Sequence, residues 1–363
     1  MAVDDSSATL AGFSWSGVLG TLLHRQDLST GAARWAMGQI MAGDATDAQV
    51  AAFAVALRAK GESAAEMSGL AAAMLAAAHR IDLPGPAVDV VGTGGDRSHS
   101  VNISTMAALV VAGAGVRVIK HGNRAASSSC GAADVLEELG VLLTLTPPQV
   151  AQTAVEAGIT FCFAQVFHPA MRHAAGPRRE IGVPTPFNFL GPLTNPAQPV
   201  AQAVGCADLR MAPVMAQVFA DRGTSALVFR GDDGLDELTV STTSSVWRVL
   251  AGRVEELKVD PAELGIERAP MSALRGGERA HNARVVREVV SGSERGAIRD
   301  AVVLNAAAAL VALDAEPTDL VPALGSALER ARAAIDSGAA ADVLDRWVTV
   351  TRQIATPPLT DDH

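Results

Sequence analysis

Through the middle of the chain, short apolar runs alternate with longer periodic ones, and the two spacings predict two kinds of element. The segments 89–91, 116–119, 141–145, 160–164, 200–206 and 225–230 are compact apolar runs bounded by glycine or polar residues, and read as buried strands. Between them, 102–113, 132–139, a run opened by Pro147-Pro148, and 209–222 read as helices. Strands alternating with helices predict an α/β fold with a mostly parallel central sheet flanked by helices. The segment 239–258 adds antiparallel strands with a turn at Ala251-Gly252, and 282–354 reads as helices broken by a loop at 293–296. Residues before Pro84 read as all-helical. Thr46 with Gln49 and Ser63 with Glu66 have capping-box spacing, and Gly61 stops the helix between them. The alanine-rich run 64–78 permits close helix–helix approach. A cation-rich helix at 168–181, followed by Pro184-Thr185-Pro186, interrupts the α/β pattern and is expected to cross back to the helical part, lining the cleft between the two. The expected organisation is a smaller all-α domain at 1–84, completed by 168–196. An α/β domain follows at 85–167 and 197–354, with a tail at 355–363.

Composition narrows the function classes. The chain has 363 residues, 49% hydrophobic and 19% charged, as folded globular proteins do. A net charge of −10 argues against a general binder of nucleic acid or anionic membranes. The apolar runs 106–116 and 301–313 fall short of the roughly 18–20 residues of a membrane span and read as core helices. The N-terminus carries Asp4 and Asp5 in place of a basic signal region, and Cys130, Cys162 and Cys206 lack metal-ligand spacing. A soluble cytoplasmic protein with reduced, buried thiols is expected.

The candidate chemistry is concentrated between residues 88 and 137. The first strand runs into Gly92-Thr93-Gly94-Gly95-Asp96, where closely spaced glycines let backbone N–H groups approach a ligand. The helix after it opens with Asn102, Ser104 and Thr105, residues suited to an anion at a helix N-terminus. The second strand is expected to end at Ile119 and deliver a polar loop, Lys120-His121-Gly122-Asn123-Arg124, followed by the small polar run 125–130. Only three of the 29 basic residues are lysines, and one of them falls in this loop. A compact ammonium suits a phosphate that moves or leaves. Two such loops at the carboxyl edge of a sheet make a phosphate pocket. Arg97 stands where a dinucleotide fingerprint needs glycine, and no P-loop occurs. Far along the chain Asp232, Asp233, Asp236 and Glu237 crowd into six residues after a strand. Like charges this close need a cation or open solvent, which leaves a Mg²⁺ site and a solvated acidic turn both open.

Taken in order and spacing, these motifs resemble anthranilate phosphoribosyltransferases. The resemblance rests on Gly92-Thr93-Gly94-Gly95-Asp96, Asn102-Ile103-Ser104-Thr105, Lys120-His121-Gly122-Asn123-Arg124, His168-Pro169-Ala170-Met171-Arg172, Gly191-Pro192-Leu193-Thr194-Asn195-Pro196 and Asp236-Glu237. It covers the chain from the N-terminal helices to about Ile354. The resemblance implies a pentosyltransferase acting in the second step of tryptophan biosynthesis. The amine of anthranilate would attack C1 of 5-phosphoribosyl-1-pyrophosphate (PRPP), with Mg²⁺ required, in a homodimer formed through the helical domain. It implies that Gly92, Thr93, Gly94, Gly95 and Asp96 lie against the pyrophosphate. Asn102, Ser104, Thr105 and Lys120 would hold PRPP oxygens. Ser104, Asp236 and Glu237 would hold Mg²⁺, the two acids largely through water. Asn123, His121, Arg178 and Gly92 would meet anthranilate, with Arg178 taking its carboxylate. No catalytic base is assigned, since an aryl amine is already neutral at physiological pH. His121 and His168 each also have a purely structural reading as hydrogen-bonded histidines. Two other readings remain: a pyrimidine nucleoside phosphorylase-like enzyme, which would leave Asp236 and Glu237 idle, and a non-catalytic nucleic-acid-binding relative, which the net charge disfavours.

Overall fold

The structure, a computed structural model, describes residues 12–125 and 129–356. The chain divides into two compact units, Met1–His79 with His168–Thr194, and Arg80–Phe167 with Asn195–His363. In the first unit the described helices include Trp15–Leu23, Thr30–Ala42, Asp47–Lys60, Ala64–Ala76 and Arg172–Ile181. Both predicted capping boxes form, from Thr46 to Gln49 and from Ser63 to Glu66. Gly61 ends the third helix with φ at +96°. The alanine-rich fourth helix packs closely on the second. A Cβ on Gly69 would stand 2.4 Å from the Thr30 carbonyl oxygen, so a larger residue would force the pair apart. Glu66, fully buried, is held by the Leu28 and Ser63 N–H groups and by the Lys60 ammonium at 2.9 Å.

The second unit is built on a seven-stranded sheet in the order β3-β2-β1-β4-β5-β6-β7. Its strands are β1 Val88–Gly92, β2 Val118–Gly122, β3 Ile159–Phe163, β4 Ala201–Gly205, β5 Ser225–Gly231, β6 Ser244–Leu250 and β7 Arg253–Val259. The first five pair in parallel, and β6 and β7 complete the sheet antiparallel. The expected mostly parallel sheet flanked by helices is therefore what the chain forms. Residues Ala251 and Gly252 both take left-handed φ, +50° and +74°, as a two-residue turn between antiparallel strands requires. Side chains alternate across the sheet. Val88, Val90, Val118 and Phe161 join a core with the helices Ile103–Gly113 and Ala297–Asp314. Ile119 and Cys162 join a second cluster with Ile81, Leu145, Val150 and Phe167. Among the described residues no helix is long and apolar enough to cross a membrane.

Two expectations about strands need correction. Residues 141–145 form no strand, although Val141, Leu143 and Leu145 are buried and Leu142 between them is exposed. Leu142 donates its N–H to Thr351 Oγ1, on the helix Ala339–Ala355, so the run packs beneath that helix instead of joining the ladder. Alternation reports one buried face, and a helix can supply that face as well as a sheet. The second correction concerns β2, which continues through Lys120 and His121 to Gly122 and pairs residue for residue with β3. Those polar residues belong to a buried strand, not to a loop.

The sheet's topology fixes where a ligand can sit. From β1 the chain builds outward to β2 and β3, then returns to place β4 on the other side of β1. The reversal lies between β1 and β4, and crevices outside the carboxyl ends at such a reversal bind ligands in α/β proteins. The two strands end there in register, on Gly92 and Gly205.

Candidate active site

Gly92 and Gly205 form a floor on which a remote acidic segment rests. A Cβ on Gly205 would stand 1.6 Å from the Asp236 carbonyl oxygen, and one on Gly92 would stand 2.4 Å from Asp236 Oδ2. Glycine at 205 lets the Asp236 backbone cross the strand ends, and glycine at 92 leaves room for its carboxylate. The segment is also clamped from behind. Asn305, buried in the helix Ala297–Asp314, accepts the Leu238 N–H and donates to the Leu238 carbonyl, both at 2.9 Å. From the front, the Gly94 N–H donates to Asp236 Oδ2 at 2.7 Å. Thr93 joins β1 to the end of β4: its N–H donates to Gly205 O, and its hydroxyl accepts the Ala207 N–H.

Beyond Gly92 the glycine turn has a different character. Gly94 and Gly95 take φ of +66° and +87°, and Arg97 and His99 take +59° and +54°. Left-handed backbone costs a non-glycine residue about 1–2 kcal/mol, a strain often found at binding sites. Among the described residues the N–H groups of Gly95, Asp96 and Arg97 have no protein acceptor, and such a run of backbone donors is a concavity suited to an anion.

The charged groups converge where the helix Ile103–Gly113 begins. Lys120, 2% exposed, donates from Nζ to the Val90 carbonyl and to Ser104 Oγ, the latter at 3.2 Å. The Ser104 N–H donates to the Glu237 carboxylate, which thereby lies at the positive end of the helix. Burial pushes Asp236 up to about 8, helped by the neighbouring Asp96 carboxylate and opposed by the Gly94 N–H. Burial likewise raises Glu237, with Asp236 adding to the shift and Lys120 opposing it. Lys120 is lowered by burial, against the pull of Asp89, Glu237 and Asp236. Asp236 and Glu237 thus face one ammonium in low-dielectric surroundings, and this pair of carboxylates fits a divalent cation. Among the described residues no three acids, histidines or cysteines are grouped so as to hold a metal alone. Mg²⁺ does not require that, since it is commonly held by one or two carboxylates plus phosphate and water.

The other two acids of the 232–237 cluster do something else. Asp232 takes the Lys258 ammonium on both oxygens, at 2.7 and 2.6 Å, together with Thr243 and Ser245. Asp233 accepts from the Leu235 N–H and from the hydroxyls of Thr239 and Ser241. Both staple the turn after β5, so the cluster divides into a structural pair and a pair facing the glycine turn.

The remaining candidates are distributed as follows. Lys120 and His121 are adjacent on β2 and leave it on opposite faces, so buried His121 is not part of the Lys120 cluster. Its backbone N–H donates to Asp89, whose other oxygen accepts from Asn195. Thr105 is buried in the first turn of its helix, its hydroxyl without a partner among the described residues. The Asn102 carboxamide bridges the Cys130 carbonyl and Asn282. Asn123 is exposed and caps the Arg124 N–H, while Arg124 pairs with Asp134 and Glu137 and lies over Phe163. Within the run 125–130, residues 126–128 lie outside the described ones. In the helical unit, the half-buried Arg178 guanidinium stacks on Phe187 at 5.5 Å, and no acid among the described residues pairs with it. His168 Nε2 lies 2.9 Å from the Thr194 carbonyl oxygen. Sequence reasoning overlooked Asp89, Gly205, Asn282 and Asn305. A charged residue inside the apolar run Val88–Gly92 was the available signal for Asp89. Gly205, Asn282 and Asn305 gave none, since only the folded register reveals their partners.

Comparison with known proteins agrees with this geometry. Residues 84–341 match the glycosyl transferase family, a/b domain, and residues 16–78 match the same family's helical bundle domain. The chain is 63% identical over 338 residues to the anthranilate phosphoribosyltransferase of a Nocardioides species, covering 93% of this chain and 99% of that one. This chain belongs to the anthranilate phosphoribosyltransferase family. Among solved members, the enzyme from Thermus thermophilus superposes with a TM-score of 0.86 at 40% identity, covering 92% of this chain and 99% of that one. The Saccharomyces cerevisiae enzyme, solved in complex with PRPP and Mg, gives a TM-score of 0.85 at 26% identity, covering 95% and 99%.

Proposed function

We propose that this chain transfers the 5-phosphoribosyl group of PRPP to the amine of anthranilate, giving N-(5-phosphoribosyl)anthranilate and pyrophosphate. The anthranilate nitrogen forms a bond to C1 of the ribose as the bond from C1 to the pyrophosphate oxygen breaks, and a proton leaves the nitrogen to solvent. The observation that supports this most is the seating of Asp236 and Glu237 over Gly92 and Gly205, with Lys120 and Ser104 beside them. In this reading the Gly95, Asp96 and Arg97 N–H groups cradle the pyrophosphate. Lys120, Ser104 and Thr105 hold PRPP oxygens, with Asn102 close behind them. Asp236, Glu237 and Ser104 would hold Mg²⁺, which when bound neutralises charge developing on the leaving pyrophosphate. Most of the rate enhancement then comes from positioning and preorganised donors, and no general base is needed for a neutral aryl amine.

For the acceptor we assign Arg178 to the anthranilate carboxylate, and we assign Asn123, His121 and Gly92 to the same ligand. A guanidinium already stacked on an aromatic ring and, among the described residues, lacking an acidic partner is suited to an incoming carboxylate. A homodimer through the helical unit and a cytoplasmic location complete the proposal, and light scattering of the purified protein tests the first. The activity itself is tested by following anthranilate fluorescence with PRPP, with and without Mg²⁺. Loss of fluorescence that needs both PRPP and the metal is expected. Unchanged anthranilate, or phosphorolysis of pyrimidine nucleosides that persists in EDTA, would overturn the assignment.

A further inference from the structure

The helix Arg279–Val290 contributes no group to the chemistry above, yet its first turn and the segment before it are tied to the end of the glycine turn, to Asn102 and to Cys130. The segment leading into it lies along the end of the glycine turn. Val101 donates its N–H to Leu274 O at 2.9 Å, Gly276 donates to His99 O at 2.8 Å, and Ser100 bridges Arg275 in antiparallel fashion. The approach is so close that a Cβ on Gly276 would stand 2.8 Å from the Ser100 carbonyl oxygen.

Asn282 closes this arrangement from within. It is 2% exposed, accepts the Gly277 N–H at 2.8 Å, and donates from Nδ2 to Asn102 Oδ1 at 2.9 Å. Asn102 in turn donates from its own Nδ2 to the Cys130 carbonyl at 3.0 Å. The Asn282 carboxamide also interacts with the Cys130 thiol. A backbone N–H orients one end of the chain and a backbone carbonyl the other. The two amides between them therefore have a fixed polar sense, and each bond polarises the next. Asn102 stands immediately before the helix Ile103–Gly113, and its carbonyl accepts the N–H groups of Thr105 and Met106.

We propose that Asn282 is a positioning residue of the PRPP site: acting through Asn102, it fixes the helix start that carries Ser104 and Thr105 against the backbone at Cys130. This rests on the reading under Proposed function and deepens it. The ligand positioned is a ribose carrying a 1-pyrophosphate, and the effect falls on its binding and not on the acceptor.

Steady-state kinetics of Asn282→Ala, Asn102→Ala and the double variant, with wild type alongside, test the idea. Leaving a buried amide unpaired predicts a rise in KM for PRPP of about tenfold in Asn282→Ala. The KM for anthranilate should stay within about twofold, and the double variant should be no worse than Asn102→Ala alone, as coupled residues require. A role confined to stability would lower Tm and leave KM for PRPP where it was, and that outcome overturns the proposal. So does an effect in the double variant that is the product of the two single effects. Asn282→Asp keeps the volume and the acceptor for Gly277 but replaces the donor to Asn102, so it is expected to show the same rise should the alanine variant not fold. Failure of both variants to fold also counts against a positioning role. Wild-type protein inactive with PRPP and anthranilate defeats the functional reading itself, and this inference falls with it. An active wild type with unmoved variants defeats this inference alone.

Discussion

Replacing Gly205 by alanine tests whether the acidic doublet is held where the chemistry needs it. A Cβ at this position would stand 1.6 Å from the Asp236 carbonyl oxygen and 2.5 Å from its carbonyl carbon. Real Cβ contacts essentially never fall below 3.0 Å, and the obstacle here is backbone, which cannot swing aside as a side chain can. Asp236 must therefore retreat by about 1.4 Å, or β4 must slip against β1. Retreat is opposed by Asn305, which clamps Leu238 two residues on. Overpacking of this kind costs about 1–3 kcal/mol, which in a unit of this size lowers Tm by roughly 3–10 °C. The catalytic effect is larger, because misplacing a binding group by about 1 Å can cost about 100-fold in rate. We expect kcat/KM for PRPP in Gly205→Ala to fall by at least about 100-fold at a temperature where circular dichroism shows the variant folded. Gly325→Ala is the control. It lies in the helix Leu320–Asp336, where a Cβ would meet nothing within 4 Å, and should gain about 0.5–1 kcal/mol of stability with activity unchanged. If Gly205→Ala keeps kcat/KM within about tenfold of wild type, the placement of Asp236 is not what the glycine floor secures, and the reasoning is wrong.

Three further outcomes follow from the same geometry. Arg178→Ala should raise KM for anthranilate about tenfold or more and spare that for PRPP, and an unchanged anthranilate KM rejects the assigned role. Asp89 is fully buried, and burial raises it to about 6 against the Lys120 charge and the Asn195 and His121 donors. A carboxyl raised above its unfolded value of 3.8 binds its proton more tightly in the folded state, so its contribution to stability is largest below pH 3.8 and declines as pH rises to about 6. The loss should amount to about 2–3 kcal/mol, and stability by urea unfolding across that window should decline by about that much less in Asp89→Asn than in wild type, the remaining decline coming from the raised Asp236 and Glu237; equal declines would contradict it. Lys60→Met removes the ammonium paired with fully buried Glu66, whose remaining donors are the Leu28 and Ser63 N–H groups. A loss of about 2–3 kcal/mol is expected in thermal unfolding, at the low end for a broken buried pair because those donors remain, and a Tm equal to wild type contradicts it.

How much of this was legible depended on whether the signal was local. The capping boxes at Thr46 and Ser63 were readable because donor and acceptor lie three residues apart. The turn at Ala251-Gly252 was readable because its neighbours alternate on both sides. Strand ends were harder. Lys120 and His121 read as loop because isolated polar residues suggest exposure. Their burial depends on partners well outside the run, Ser104 for one and the Asp89–Asn195 pair for the other. The run 141–145 has the alternation of a strand, but its buried face is met by the last described helix, far along the chain. Pattern registers that a face is buried without registering what buries it.

The four-carboxylate cluster and the glycines taught the same lesson at the site. Spacing alone could not divide Asp232 and Asp233 from Asp236 and Glu237, because the division is made by Lys258 on β7 for Asp232, by Thr239 and Ser241 for Asp233, and by Gly94 and Ser104 for the other pair. The glycines divide as well. Gly94 and Gly95 take left-handed φ and have open space where a Cβ would be, so what they contribute is backbone conformation for the turn. Gly92 and Gly205 have ordinary φ and face Asp236, so what they contribute is room, Gly205 for the Asp236 backbone across the strand ends and Gly92 for its carboxylate. A glycine-rich turn at the end of a parallel strand thus has two separate reasons to exist, one a matter of backbone conformation and one of room for a crossing segment. In this chain they occupy adjoining positions, and the acidic segment reaches the Gly94 N–H only because the second reason is met.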